Sequence, residues 1–185
     1  MRKNTFVIGF VVGLSLAVAV GNVEAKEKRF RAGFAGTSTN KDDLSFTGTP
    51  GFLNTFAGKS TLGRYTAQLV AEVQPVGPCP LPGGGSGVEL VFVGDVVVLS
   101  FAATGEQLFL TLSASVPSHA CFDSATGVTS GQTTYDVSGG TGRFAGATGT
   151  ILKAWKTIFL APPATGRGSF GSFTGTFDGT IEFAE

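Results

Sequence analysis

The sequence predicts an all-β protein, a single antiparallel β-barrel of about eight strands preceded by a cleavable signal peptide. Three observations support this fold class. Apolar and polar residues alternate along several segments, as they do in strands with one buried and one wet face. Glycine-rich turn signals separate these segments, and the 185 residues include 28 glycines and 17 phenylalanines. Nowhere do apolar residues recur at helical spacing between helix caps.

The first 25 residues have the pattern of a secretory signal peptide. Residues 1–4 form a short basic start, and an apolar run follows at residues 6–20. Val23 and Ala25 place small residues at the −3 and −1 positions of a cleavage site after Ala25. The apolar run is shorter than the roughly 20 residues that a membrane-spanning helix needs. We therefore predict a signal peptide at 1–25, a barrel domain at 26–185, no membrane span after processing, and a secreted or periplasmic location.

Alternation marks four strands along the mature chain. In chain order they lie at residues 30–36, 67–73, 108–114 and 173–183. Turn signals between or beside them lie at residues 94–95, 104–106, 139–142 and 162–168. Short turns of this kind favour antiparallel neighbours, which close into a barrel or fold into a sandwich.

Residues 88–101 are more apolar than the other segments. Their valine density and the Gly94–Asp95 pair predict two strands that meet at a turn, rather than a buried helix. Apolar residues fall on both faces of this region. The sequence leaves open whether they build a thick core or a subunit interface.

The chain has two cysteines, Cys79 and Cys121, which we interpret as loop residues in turn-rich segments. In an oxidising compartment an even pair most often forms a disulfide, and we predict that bridge. The alternative is two free thiols in a protein that stays in a reducing compartment. A catalytic thiol would need a base, and His119, the single histidine, is the only candidate.

Composition argues against several classes of function. Thirteen basic and 13 acidic residues give a formal charge of zero, so we expect no nucleic-acid partner. One histidine and two cysteines are too few for a zinc cage, and we predict no metal site and no cofactor. Residues 140–146 superficially match a dinucleotide-binding loop, but a strand-like segment follows where that loop requires a helix. No catalytic residue is assigned, because the inward strand faces carry no evident acid–base pair.

A resemblance to a known family adds to this interpretation. The segment Tyr135–Thr150, with its Gly-Gly-Thr-Gly-Arg-Phe core, resembles the strand–turn–strand signature of the allene oxide cyclase barrel-like superfamily, which includes plant dirigent proteins. Residues 58–66, 104–108 and 171–181 are similar to an exported bacterial group of that superfamily. The resemblance implies a barrel with an apolar cavity and, as often in the plant relatives, a homo-oligomer. It rests on turn glycines and aromatic residues, and it assigns no active-site residue.

Two hypotheses of function follow. The first is an exported barrel that binds a small apolar molecule in its lumen, with an isomerase- or cyclase-like activity as an extension of that binding. Tyr65, Tyr135 and Trp155 are the candidate ligand-binding residues at the rim, because amphipathic rings suit a half-wet position. The second is a non-catalytic scaffold, with a structural or surface-interaction role and its Thr and Ser faces outward. A lumen packed solid would exclude the first hypothesis.

Overall fold

The computed structural model describes residues 26–41, 51–160 and 170–184. The predicted signal peptide and the turn predicted at residues 162–168 lie outside these ranges. The strands are β1 (Lys26–Lys41), β2 (Gly51–Ser60), β3 (Gly63–Pro80), β4 (Ser86–Phe101), β5 (Gln107–Leu112), β6 (His119–Asp123), β7 (Val128–Gly140), β8 (Thr148–Phe159) and β9 (Phe170–Phe183). A 3₁₀ turn, Gly142–Phe144, joins β7 to β8. The described part of the chain contains no helix long and apolar enough to cross a membrane.

The strands form one antiparallel sheet that closes on itself. Around the ring the order is β3-β2-β1-β9-β8-β7-β5-β4, and β4 pairs back onto β3. Strands β5 and β6 share one position, because β5 pairs with residues 96–100 of β4 and β6 pairs with residues 88–91. Nine strands therefore occupy eight positions, and the barrel prediction is confirmed. Closure pairs the strands that would otherwise be sheet edges.

Strand β4 corrects the interpretation of residues 88–101. It is one continuous strand of 16 residues, with no turn at Gly94 and Asp95. Its pairing with β3 shifts by one residue, so that Val93 has no partner there. Glycine before aspartate is a turn signal, but inside a long strand a glycine also marks a β-bulge. A bulge bends the strand and changes the direction of nearby side chains. Asp95, which follows Gly94, is buried.

The 3₁₀ turn plugs one end of the barrel, which we call the turn end. Phe144 is fully buried and stacks on Phe101, with 5.0 Å between the ring centroids. The Arg143 guanidinium lies 4.8 Å from the centroid of the Phe144 ring and pairs with Glu106 at 3.1 Å. The sequence predicts a turn here with strands on both sides, and the structure confirms it.

Phenylalanines pack the lumen next to the turn end and toward its middle. Phe34 lies 4.7 Å from Phe56, 5.0 Å from Phe173 and 5.1 Å from Phe177, measured between ring centroids. The Phe34 ring reaches this position because Gly175 has no side chain. A Cβ at Gly175 would lie 2.5 Å from Phe34 Cζ. Glycine at this position therefore makes room for an aromatic neighbour.

Cys79 and Cys121 form the predicted disulfide, which closes a sequence separation of 42 residues. The loop interpretation is wrong for both, because Cys79 lies in β3 and Cys121 lies in β6. These strands flank β4, so the bridge crosses over it at Gly87. A Cβ at Gly87 would lie 2.8 Å from Cys121 Sγ. The bridge marks the opposite end of the barrel, which we call the disulfide end.

Candidate functional site

A cavity occupies the lumen toward the disulfide end. It is partly open to solvent, and the centres of water molecules can occupy about 40 Å³ of it. Since one ordered water needs roughly 10–15 Å³ on that measure, the cavity holds a few waters as it stands. The lumen is therefore not packed solid along its whole length.

Five aromatic rings contribute to the cavity wall, beside the aliphatic side chains of Leu69, Ala71, Val73 and Leu90. The rings come from four strands: Phe52 of β2, Phe92 of β4, Trp155 and Phe159 of β8, and Phe173 of β9. The Trp155 ring meets Phe92 edge-on at 5.9 Å and also lies 5.9 Å from Phe173, between centroids. Phe52 and Phe159 lie 6.1 Å apart. Four of these rings are half-buried, and Phe173 is fully buried.

Polar side chains interrupt this wall at five positions, all of them more than nine-tenths buried: Ser38, Asn54, Thr129, Lys153 and Thr157. Asn54 Oδ1 is buried and accepts no hydrogen bond from the described part of the chain. An unsatisfied buried carbonyl oxygen is costly. A bound water or the donor group of a ligand would satisfy it. The wall thus combines apolar rings with a few convergent polar groups, as small-molecule sites do.

A buried ionisable cluster lies at the deep end of the cavity. Lys153 is 1% exposed, and of the four β8 residues in the wall it is farthest from the disulfide end. Its Nζ lies 3.4 Å from Oδ2 of Asp95, which is 3% exposed. Tyr135 Oη donates a hydrogen bond of 2.5 Å to the same oxygen. The expectation that no acid–base pair faces inward is wrong.

Burial dominates the protonation of this cluster. It raises the pKa of Asp95, and the nearby Lys153 charge and the two hydrogen bonds oppose that rise. Burial lowers the pKa of Lys153, against the attraction of Asp95. It also raises the pKa of Tyr135, and the Asp95 charge adds to that effect. The shifts of Asp95 and Lys153 both favour a neutral carboxyl beside a neutral amine.

The structure places the three candidate rim residues in different environments. Trp155 is half-buried in the cavity wall, and its Nε1 donates to Thr133 Oγ1 at 3.2 Å. Tyr135 is fully buried beside the cavity and is held by Asp95. Tyr65 is 2% exposed and packs against Phe101 toward the turn end. Only Trp155 has the half-wet position expected for all three, and a ligand contact at any of them stays a prediction.

The sequence carried a signal for Lys153 and Asp95. Lys153 is in phase with Ile151 and Trp155 on alternate positions of β8, which places it on the inward face. Asp95 is likewise in phase with Val97 and the other inward residues of β4. The general rule that charged residues face water argues against an inward position for both residues, so the phase alone did not predict it.

His119 lies away from the cavity, on the outside of the barrel. Its Nδ1 is 2.9 Å from Glu89 Oε1, and both side chains are substantially exposed. Within the residues that the structure describes, no three His, Cys, Asp or Glu side chains gather as a metal-binding group.

Comparison with known proteins gives a likeness to solved structures and no family assignment. No protein-family model matches the chain, and no curated protein sequence does. The chain is similar to the pterocarpan synthase dirigent protein GePTS1 with 13% sequence identity and a TM-score of 0.38. The alignment covers 96% of this chain and 100% of that one. The barrel assignment above stands on the strand pairing of this chain itself.

Proposed function

We propose that the protein binds a small, mostly apolar molecule that carries one hydrogen-bond donor, in the cavity toward the disulfide end. The observation that carries this proposal is the wall itself, in which apolar side chains, five of them aromatic, share the lining with Asn54, whose Oδ1 is unsatisfied. The rings would bury the apolar body of the molecule, and Asn54 would accept its donor. Lys153 and Asp95 already pair with each other, which favours a neutral ligand over a charged one.

Size limits the ligand. Because water centres occupy only about 40 Å³ as the side chains stand, a molecule of about ten non-hydrogen atoms requires the wall to move. The half-buried rings of Phe52, Trp155 and Phe159 are the parts of the wall that would turn to admit it. An isomerase- or cyclase-like conversion of the bound molecule would be the catalytic form of this proposal.

The proposed setting is outside a reducing compartment. The disulfide between Cys79 and Cys121 fits an oxidising environment, and the signal-peptide pattern of residues 1–25 fits export. Membership of the allene oxide cyclase barrel-like superfamily and assembly into a homo-oligomer remain predictions from the sequence resemblance.

Calorimetric titration with 3-phenylpropan-1-ol tests the binding proposal. We expect saturable binding of one molecule per chain. Ala71→Leu adds bulk to the cavity wall and reduces the space for the ligand. It should weaken binding at least about tenfold, which corresponds to a loss of about 1.4 kcal/mol. Ala57→Leu is the matched control, because Ala57 is exposed on the outside of β2. Equal binding by both variants would place the site elsewhere, and the absence of binding would favour the non-catalytic scaffold.

The role of Asn54 has its own comparison. Propylbenzene has the same apolar body as 3-phenylpropan-1-ol but lacks the hydroxyl group. The wild-type protein should prefer the alcohol by about 2- to 10-fold, the usual net value of one hydrogen bond. Asn54→Leu should remove that preference. Preservation of the preference in Asn54→Leu would contradict the assignment of the acceptor.

A further inference from the structure

We propose that Lys153 is an imine-forming residue, whose Nζ adds to the carbonyl carbon of an aldehyde or ketone held in the cavity, with Asp95 as the proton carrier. This inference rests on the proposed function, since the carbonyl compound must occupy the same cavity. It deepens that function by naming a substrate class.

The first support is the placement of the amine. Lys153 lines the deep end of the cavity, so a molecule that fills the cavity contacts it. Its Nζ lies 4.9 Å from the centroid of the Tyr135 ring, 5.7 Å from those of Trp155 and Phe173, and 6.0 Å from that of Phe92. These rings hold the amine in one place and limit its contact with bulk water.

The second support is the carboxyl group beside the amine. Asp95 Oδ2 lies 3.4 Å from Lys153 Nζ, so a small movement of either side chain would bring the two atoms close enough for proton transfer. Tyr135 Oη fixes the same oxygen. Asp95 Oδ1 is buried and has no hydrogen-bond partner in the described part of the chain. One carboxyl oxygen is thus held in place beside the amine that lines the cavity, and the other has no partner among the described residues.

The charge state favours nucleophilic attack. Only an unprotonated amine is a nucleophile, and a lysine desolvated among apolar groups is the usual way to obtain one near neutral pH. Burial lowers the pKa of Lys153 and raises the pKa of Asp95. Among the described residues, the titratable groups that contact the amine are Asp95 from β4 and Tyr135 from β7, and the raised pKa of Tyr135 keeps its hydroxyl protonated.

The step balances without an oxidant or a reductant. The Nζ lone pair forms a bond to the carbonyl carbon while the carbonyl oxygen takes the proton of the Asp95 carboxyl. The resulting carboxylate removes a proton from nitrogen, which leaves a neutral carbinolamine. The carboxyl then protonates the hydroxyl, which departs as water as the C=N bond forms. Return of the last proton from nitrogen restores the Asp95 carboxyl, so the sum is amine plus carbonyl giving imine plus water.

Reductive trapping tests the inference on the intact protein. We would incubate it at pH 7 with substoichiometric 3-phenylpropanal and sodium cyanoborohydride, which converts an imine to a stable secondary amine. Peptide mass spectrometry then locates the 3-phenylpropyl group. We expect label at Lys153 in at least about tenfold excess over the exposed Lys59 and Lys156, since each unit of lowered pKa raises the neutral fraction tenfold. Label spread evenly over the surface lysines would overturn the inference.

Two controls separate reactivity from accessibility. The excess of label at Lys153 should shrink between pH 7 and pH 10, because an ordinary lysine amine, with a reference pKa of about 10.4, gains neutral form over that range; a pH-independent ratio would count against the inference. Ala71→Leu should lose label at Lys153 and keep it at Lys156, whereas Ala57→Leu should behave as wild type. Labelling at Lys153 that persists in Ala71→Leu would mean that the aldehyde does not arrive through the cavity, and would overturn the assignment.

Binding of 3-phenylpropan-1-ol distinguishes the proposed binding function from the proposed imine formation. If 3-phenylpropan-1-ol binds and the aldehyde leaves no label at Lys153, the imine inference fails and the binding function stands. If the alcohol does not bind and no label appears, both fail. Protection of Lys153 from labelling by excess alcohol supports both together.

Discussion

At the scale of single residues, Asp95 and Lys153 are the most consequential side chains in the barrel. Two ionisable groups in a largely apolar interior are tolerated because each contacts the other and Tyr135 donates a hydrogen bond to the carboxyl. Removal of one partner leaves the other without its compensation, which is more costly than removal of both. The stability of this cluster must therefore depend on pH.

Lys153→Met should lower the free energy of unfolding by about 1–3 kcal/mol at pH 7, because the buried Asp95 carboxyl loses a partner, and by less at pH 4. Asp95 has a raised folded pKa, so the stability it contributes is complete below the ordinary carboxyl value of about 3.9 and declines as the pH rises. Without Lys153 this decline is steeper. Lys153 itself has a lowered folded pKa and loses its contribution as the pH falls. Both effects make the wild-type advantage grow with pH, which urea unfolding at several pH values measures; a constant difference would contradict it.

The two buried tyrosines provide a matched pair. Tyr135 Oη donates a 2.5 Å hydrogen bond to Asp95, whereas Tyr65 Oη reaches Gly33 O at 3.4 Å. Tyr135→Phe should cost about 1–3 kcal/mol, because a buried carboxyl loses a donor. Tyr65→Phe should cost less than about 1 kcal/mol, because a long bond is weak. Chemical denaturation of both variants checks the order, and an equal or reversed cost would show that Tyr135 does not stabilise Asp95.

At the scale of elements, alternation predicted strands well where one face is buried. The inward Ala67, Leu69 and Ala71 of β3 are buried, and the predicted strand at residues 173–183 lies within β9. Strand β6 was not predicted because it has only five residues and turn signals flank it. The continuity of β4 escaped because a bulge and a turn share the same local sequence.

Two glycines of neighbouring strands should respond differently to alanine. A Cβ at Gly179 of β9 would collide with Thr150 O and lie 2.7 Å from Ile151 Cα, whereas a Cβ at Gly33 of β1 meets nothing within 4 Å. Gly179→Ala should therefore destabilise by about 1–3 kcal/mol through overpacking. Gly33→Ala should be neutral or stabilise by up to about 1 kcal/mol, since it restricts the unfolded chain. Thermal unfolding compares them, and a stable Gly179→Ala would contradict the observed β8–β9 spacing.

The disulfide should contribute a large share of stability at its end of the barrel. Closing a loop of this length is worth roughly 4 kcal/mol in the chain-entropy model, so the double variant Cys79→Ser/Cys121→Ser should unfold at clearly lower denaturant concentration. Gly87→Ala should destabilise the oxidised protein more than the reduced one, because its Cβ would meet Cys121 Sγ. Two reactive thiols in the denatured, unreduced protein would show that the bridge is absent.

At the scale of the whole molecule, periodicity predicted an all-β protein that closes into a barrel or folds into a sandwich, and the family resemblance favoured the barrel. Neither predicted the interior. Ring closure and the shared position of β5 and β6 depend on which distant segments pair, and alternation within one segment carries no such information. Among the candidate site residues, Trp155 lies in the cavity wall, and its inward phase was readable. The depth of the cavity and the meeting of Asp95 with Lys153 depend on strand register, which no local pattern specifies.

The proposed function requires that the cavity toward the disulfide end admits a small apolar molecule. The chain has a single tryptophan, Trp155, and it lies in the cavity wall, so 5-fluorotryptophan labelling gives one ¹⁹F resonance that reports on this site. Titration with 3-phenylpropan-1-ol should shift that resonance saturably in the wild-type protein and in Ala57→Leu, and should leave it in place in Ala71→Leu. A resonance that stays unchanged in the wild-type protein up to the solubility limit of the alcohol would contradict the proposed function.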